Sequence, residues 1–337
     1  MRILIVRTSS LGDLVHMLPA ISDLARYVPY AQIDWVVEES FAEIPAWHPA
    51  VHEVIPIAHR RWRKAWWSTP VRQERQRVLD RIRSVPYDIV LDMQALLKSV
   101  WLVRAAGGVH HGLDWRSARE PLCSLFYDVR HRVPFWQPAV KRQRDLAASA
   151  LGYAYEGPPD FGLQRPFPRV AVQPPYAVIM PSASRDDKLW PESSWHGVFD
   201  ALQLQGLKLV LLAGSDQEAQ RAHMLLASRD NAIVQPRSSL TELAALLAGS
   251  RLMVGLDSGL THLAAAVGTD TIGLYKASTP VRTPVTGSGL TFSLGDRNHE
   301  PSLENVLEAL QQIFARDQSC DAKAPRSTTR VSNDAYT

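Results

Sequence analysis

The stretch Arg2-Ile3-Leu4-Ile5-Val6-Arg7-Thr8-Ser9-Ser10-Leu11-Gly12-Asp13-Leu14-Val15-His16 decides the fold. Its start is a short apolar run, the pattern of a strand buried on both faces. Small polar residues and Gly12 then relax a turn, and a helical pattern runs over Leu14–Tyr27. A strand that feeds a helix through a short polar turn opens a βα unit. Asp13 lies where that helix begins, so it can cap the helix and meet its positive end. It also lies beyond the carboxyl end of a strand, where open α/β sheets bind ligands. Periodicity leaves both roles open.

The same alternation continues along the chain. Strands are expected at 2–7, 33–38, 51–57, 87–93 and near 109–113, with a further helix over 72–83. After a Pro- and Gly-rich stretch at 156–175, which suits a linker and not a packed element, the pattern restarts. Strands are expected at 176–180, 207–212, 232–234, 252–256 and 271–275, with helices near 192–205, 216–227, 240–248 and 260–267. Leu303, Val306, Leu307, Leu310, Ile313 and Phe314 form one apolar face of a last helix. The expected division is a Rossmann-like domain over 1–160, a second over 175–300, a helix over 301–316 and a disordered tail over 317–337.

At 337 residues the chain is longer than a single core usually serves, which also favours two domains. No apolar run approaches the roughly 18 residues a membrane span needs, and the N-terminal apolar run is too short for a signal peptide. A cytoplasmic location is therefore expected. Cys123 and Cys320 are far apart and in no metal-ligand spacing, so both read as free thiols. The charge is unevenly spread: residues 1–165 hold 22 Lys/Arg against 17 Asp/Glu, and residues 166–337 hold 15 against 17. Within 60–83 there are nine basic residues against Glu74 and Asp80. Such a field suggests an anionic partner for the first half: nucleic acid, anionic lipid or a phosphorylated sugar.

Three junctions carry the candidate chemistry. The glycine fingerprint of dinucleotide folds and the Walker loop are both missing, which weighs against dehydrogenases and P-loop kinases. His59-Arg60-Arg61-Trp62-Arg63-Lys64-Ala65-Trp66-Trp67 combines guanidinium forks that fit phosphate with indoles suited to a membrane interface. It reads either as a solvated basic face or as a grip on a lipid head group; no nucleic-acid fold signature accompanies it. In the second half, Ser184 and Lys188 precede a helix with Pro191 at its first position and are placed to meet a diphosphate, or form an ordinary polar loop. The doublet Asp186-Asp187 is weak support for a metal site. Asp257-Ser258-Gly259-Leu260-Thr261-His262 opens another helix, whose first amides suit a phosphate. His262 also fits a core position. Glu218 follows a strand where a carboxylate can accept both hydroxyls of a ribose.

Taken together these segments, with Ile33-Asp34-Trp35-Val36-Val37-Glu38-Glu39 and Gly112-Leu113-Asp114-Trp115-Arg116-Ser117-Ala118-Arg119, resemble the heptosyltransferases of lipopolysaccharide core synthesis, glycosyltransferase family 9. The resemblance runs from Met1 to about Phe314. The Arg60–Lys64 run is closer to the type that adds the first heptose than to the type that adds the second. The resemblance implies a GT-B fold, two Rossmann-like doubly wound domains facing across a cleft, with acceptor on the first domain and ADP-heptose on the second. It implies transfer of L-glycero-D-manno-heptose to the Kdo of Kdo2-lipid A, with inversion, with no metal and no cofactor, on the cytoplasmic face of the inner membrane. Asp13 matches the family's base. Ser184, Lys188, Glu218, Asp257, Ser258, Gly259, Leu260, Thr261 and His262 fall on the donor side. Arg60, Arg61, Arg63, Lys64, Lys98 and Arg119 fall on the acceptor side.

The chain departs from the family pattern at Ala213-Gly214, where Trp-Gly is common, and at Lys276-Ala277-Ser278-Thr279, where Gly-Pro-Thr is common. Both put donor recognition in doubt more than reaction class. The rival readings are a second-type core heptosyltransferase, a nicotinamide oxidoreductase, and a non-enzymatic lipid A-binding protein.

Overall fold

The computed structural model describes residues 1–170, 172–182, 186–226 and 229–321. Two six-stranded parallel sheets carry the chain. The first holds β1 Arg2–Val6, β2 Gln32–Glu38, β3 Val51–Ile57, β4 Ile89–Asp92, β5 Val109–Leu113 and β6 Val129–His131, in the order β3-β2-β1-β4-β5-β6. The second holds β7 Tyr176–Met180, β8 Lys208–Leu211, β9 Ala232–Val234, β10 Leu252–Leu256, β11 Asp270–Leu274 and β12 Thr291–Leu294, in the order β12-β11-β10-β7-β8-β9. Both orders are the doubly wound one, with strand direction of winding reversing between β1 and β4 and again between β7 and β10. The α/β fold of two doubly wound sheets is the one the sequence implied.

The crossovers are helical. The first half contains α1 Leu11–Val15, α2 Leu18–Tyr27, α3 Glu43–Trp47, α4 His59–Trp62, α5 Thr69–Arg83, α6 Leu97–Val103 and α7 Ala139–Leu151. The second contains α8 Glu192–Leu204, α9 Asp216–Leu226, α10 Leu240–Gly249, α11 Gly259–Ala266 and α12 Leu303–Asp321. Four differences from the sequence expectation have local causes. The helix expected over 14–27 breaks into α1 and α2 beside Pro19, which brings no amide donor into the first turn of α2. The edge strands β6 and β12, of three and four residues, are too short for a periodic signal. The described residues of 156–175 form no regular element, yet Phe161, Leu163 and Phe167 are buried in the main core, so the connection is packed where a linker without packing was expected. The last helix runs on to Asp321, five residues past its expected end at 316, because no Pro or Gly falls between Arg316 and Asp321; the rest of the expected tail, 322–337, lies outside the described residues.

One apolar core continues from the first sheet into the second, joining Ile3, Ile5, Leu14 and Leu18 with Val178, Met253 and Leu263. Polar contacts reinforce that seam. Glu43 on α3 accepts the Thr241 amide (2.9 Å) at the start of α10, and the Trp47 indole donates to the Thr241 hydroxyl (2.9 Å). The carboxylate thus caps a helix of the other half.

Candidate active site

The reversal of winding leaves a crevice beyond the carboxyl ends of β1 and β4, and another beyond β7 and β10. Residues 7–13 follow β1, Met93 and Gln94 follow β4, Asp257 follows β10, and Lys188 lies on the segment after β7. The two crevices meet where α1 touches α11. A Cβ on Gly259 would come within 2.4 Å of Leu11 and 3.0 Å of the Gly12 amide nitrogen. Glycine at 259 is therefore required by close approach of the two helix starts.

Asp13 is the centre of the first crevice, and it does cap its helix. One carboxylate oxygen accepts the Ser10 amide and the Ser10 hydroxyl, both at 2.9 Å. The other pairs with the Arg7 guanidinium at 2.8 Å. Burial works to raise the Asp13 pKa, but Arg7 and the Ser10 hydrogen bonds outweigh it and hold the carboxyl below its ordinary value. It is an anion with 41% of its side chain still exposed. Arg7 is fixed in turn by donating to the Met93 carbonyl. Gln94 orders the turn by accepting from the Thr8 amide (2.9 Å) and the Ser9 amide (3.3 Å), and Lys98 donates to the Ser9 hydroxyl (2.9 Å). Burial, then the neighbouring Arg60 charge, lowers the Lys98 pKa.

The basic loop is divided in its roles. Arg61 is spent on Glu39 (3.0 Å) and Glu74 (2.7 Å). Trp62 is buried and donates to Glu74 (2.8 Å). Arg60 leans on the Phe41 ring at 5.1 Å. Arg63 and Lys64 are exposed, as are Trp66 and Trp67, at 62% and 64%. Arg63, Lys64, Trp66 and Trp67 therefore face solvent, while Arg61 and Trp62 hold the loop to the sheet. Arg119 shares a cavity with Asp13.

On the opposite side Lys188 donates to the Asp257 carboxylate (2.9 Å) and carbonyl (3.3 Å). The second Asp257 oxygen faces His262 at 3.4 Å. Burial opposes ionisation of Asp257, but His262 and Lys188 overcome it and drive the carboxyl far below its usual range. Ser258 is the N-cap of α11 and accepts the Thr261 amide. Thr261 itself turns inward to the Leu256 carbonyl (2.7 Å), so its side chain serves the strand end and not the crevice. Leu260 lines an apolar pocket with Met180, Ala213, Gly214 and Pro236. Glu218 borders it, accepting the Gly214 amide at 2.6 Å. Ser184 lies outside the described residues.

Sequence reasoning missed Arg7, Gln94, His16, Arg142 and Arg282. Arg7 flanks a strand and Gln94 follows one, a positional signal that was available. His16 stacks edge to face on His262, and Arg142 and Arg282 line the Asp13 cavity, which only the packing reveals. Among the described residues, the grouping Asp34, His52 and Glu53 has metal-ligand character. Its acids are engaged by Arg2 (3.3 Å) and Tyr87 (2.9 Å) on Asp34 and by Arg81 on Glu53, which compete with any ion.

Comparison with known proteins agrees with this geometry. The model of glycosyltransferase family 9 (heptosyltransferase) matches residues 75–311. The chain is 45% identical to lipopolysaccharide heptosyltransferase 1 of Salmonella typhimurium, over 83% of this chain and 90% of that protein. It is 47% identical to the protein of that name from Pseudomonas aeruginosa, over 83% and 80%. The solved structure of E. coli heptosyltransferase WaaC with ADP superposes with a TM-score of 0.84 at 40% identity, covering 94% of this chain and all of that one. The same enzyme with ADP-2-deoxy-2-fluoro heptose gives 0.82. With a family model over most of its length and relatives this similar, the chain belongs to glycosyltransferase family 9, the heptosyltransferases.

Proposed function

We propose that the protein transfers L-glycero-D-manno-heptose from ADP-heptose to the Kdo of Kdo2-lipid A, with inversion and without a metal or other cofactor. The observation that carries this reading is the placement of an ionised, partly exposed Asp13 at the meeting of two crevices, opposite Lys188 and Asp257. The relatives named heptosyltransferase 1, and the WaaC structures with ADP and a fluoro-heptose donor, support the donor assignment.

In this reading ADP-heptose lies along the second crevice, with its adenosine in the apolar pocket at Ala213 and Leu260 and its ribose at Glu218. Lys188 and the amides at Gly259 and Leu260 meet the diphosphate, so negative charge on the departing ADP is stabilised as the glycosidic bond breaks. Lys188 is held ready by Asp257, and exchanges that partner for phosphate. The Kdo hydroxyl approaches from the first crevice and gives its proton to Asp13 as it attacks the anomeric carbon from the face opposite ADP. One base and one displacement invert the centre. Arg60, Arg63, Lys64, Lys98 and Arg119 supply the positive field for an acidic acceptor, with Arg61 bracing the loop. No helix among the described residues is long and apolar enough to cross a membrane; exposed Trp66 and Trp67 beside that field suit peripheral binding at the cytoplasmic face of the inner membrane.

The test is incubation with ADP-heptose and Kdo2-lipid A, followed by mass analysis of the glycolipid. Addition of one heptose with release of ADP is expected. A folded protein that adds none is not this enzyme. Transfer only to an acceptor that already carries heptose would identify a second-type enzyme.

A further inference from the structure

The cavity that holds Asp13 is lined by four arginines: Arg7, Arg119, Arg142 and Arg282. Among the described residues, only Arg7 is neutralised there, by Asp13 itself. Arg142, on α7, donates to the Ser117 carbonyl (2.9 Å), which carries no net charge to offset its own. Arg119 and Arg282 form no ion pair among the described residues. The Nε groups of Arg7, Arg142 and Arg282 are buried without a hydrogen-bond partner among the described residues. A buried donor left unsatisfied is costly, and like charges gathered in one cavity add to that cost. Burial, followed by the charge of Arg282, presses the Arg142 pKa down to about 10; burial, followed by Arg119, presses down that of Arg282. Groups in that condition are arranged for an anion.

Arg282 comes from the other half of the molecule. It lies in the loop between β11 and β12, the loop that departs from the family pattern at Lys276–Thr279. Its carbonyl accepts the Ala139 amide (2.7 Å) at the start of α7. Its guanidinium stacks on Phe135 at 4.1 Å, and Arg142 stacks on the same ring at 5.2 Å. Phe135 thus gathers one arginine from each half beside the catalytic carboxylate.

We infer that Arg282, reaching across from the donor-side half, completes a carboxylate-binding site with Arg119 and Arg142 that fixes the acidic sugar of the acceptor next to Asp13. This deepens the proposed function and rests on it. The anion must belong to the sugar whose hydroxyl meets Asp13, because the arginines and Asp13 line one cavity; that favours a sugar carboxylate over a phosphate farther along the lipid. Guanidinium forks match a carboxylate bidentately. Until it is filled, the site repels Arg282 from Arg119 and Arg142, so a bound carboxylate also draws the two halves together.

The test compares wild type with Arg282→Gln on two acceptors, Kdo2-lipid A and the same lipid with its Kdo carboxyls methyl-esterified. Heptose transfer by wild type to the free acid establishes the underlying reading independently. The variant should then raise acceptor KM on the free acid about ten- to a hundredfold, the range of a charge-assisted contact, leave KM for ADP-heptose unchanged, and have little effect on the already poor ester. An equal loss on both acceptors would reduce Arg282 to a clasp between the halves, and no loss on either would remove it from the site. A loss that vanishes instead with a dephosphorylated lipid would assign the anion to phosphate and overturn the carboxylate. If the glutamine variant does not fold, Arg282→Lys serves: it keeps the charge without the fork, and a free-acid KM intermediate between wild type and the ester is expected. A lysine variant equal to wild type in KM and in discrimination between acid and ester would defeat bidentate recognition.

Discussion

His16 and His262 meet edge to face across the seam between the two halves, ring centroids 4.4 Å apart at 70°. His16 lies one turn along from Asp13 in the first half, and His262 faces Asp257 in the second. Both ring nitrogens of His16 are buried without a hydrogen-bond partner among the described residues. Burial, followed by the charge of His262, pushes its pKa down to about 3.

That depression makes stability fall in acid. His16 is neutral when folded but binds a proton near pH 6.5 when unfolded, so the unfolded chain takes up more protons between those values. His48 behaves alike: burial lowers it to about 4, and its Nδ1 accepts the Ala50 amide (3.2 Å), which a proton would displace. The contribution is fully present above pH 6.5 and is lost as pH falls from there towards 3–4. Each group adds a slope of up to about 1.4 kcal/mol per pH unit. Chemical denaturation at pH 7.5 and pH 5 should show the loss, and His16→Gln should flatten it.

Asp13→Asn removes the proposed base but preserves the side-chain shape. Turnover should fall by about 10²–10⁴, with ADP-heptose still binding. Stability should fall by about 1 kcal/mol, since the Ser10 amide loses a charged acceptor. Rapid-quench kinetics and thermal unfolding together separate the two roles. A near-normal rate would exclude Asp13 as the base.

Arg7→Met should leave burial as the dominant influence on Asp13. The carboxyl pKa then rises, because the opposing guanidinium is gone. The acid limb of kcat/KM, expected in wild type below the ordinary aspartate value of about 3.9, should move to higher pH. A limb that stays in place would mean that Arg7 does not set the ionisation of Asp13.

Gly259→Ala places a methyl group against Leu11 and the Gly12 amide. The helix starts must separate, at a cost of about 1–3 kcal/mol, and Asp13 moves with α1. A lowered Tm together with a lowered kcat is expected. An unchanged kcat would show that the spacing of the two crevices is not critical.

Lys188→Met deprives Asp257 of its cation and, under the proposed function, the donor diphosphate of a contact. The KM for ADP-heptose should rise about tenfold or more, while acceptor KM changes little. Equal effects on both substrates would place Lys188 in the seam and not at the diphosphate.

Much of this molecule is determined by local sequence. The run from Arg2 to His16 dictates a strand, a polar turn and a helix start, because apolar periodicity and turn chemistry act over a few residues. Repeated along the chain, that pattern yields two doubly wound sheets, and the rule that ligands bind beyond strand ends points to Asp13, Lys188 and Asp257. What the sequence leaves undecided depends on partners distant along the chain. In the basic loop, Arg61 and Trp62 look like Arg63 and Trp66, yet Glu39 and Glu74 claim the first pair and leave the second exposed. Nothing in the local sequence singles out Arg142 or Arg282; only folding brings both to Phe135 beside Asp13. His16 and His262 are 246 residues apart, and nothing local announces their contact. Short-range order selects strand and helix, but a side chain's charge and burial are settled by whatever the other half packs against it.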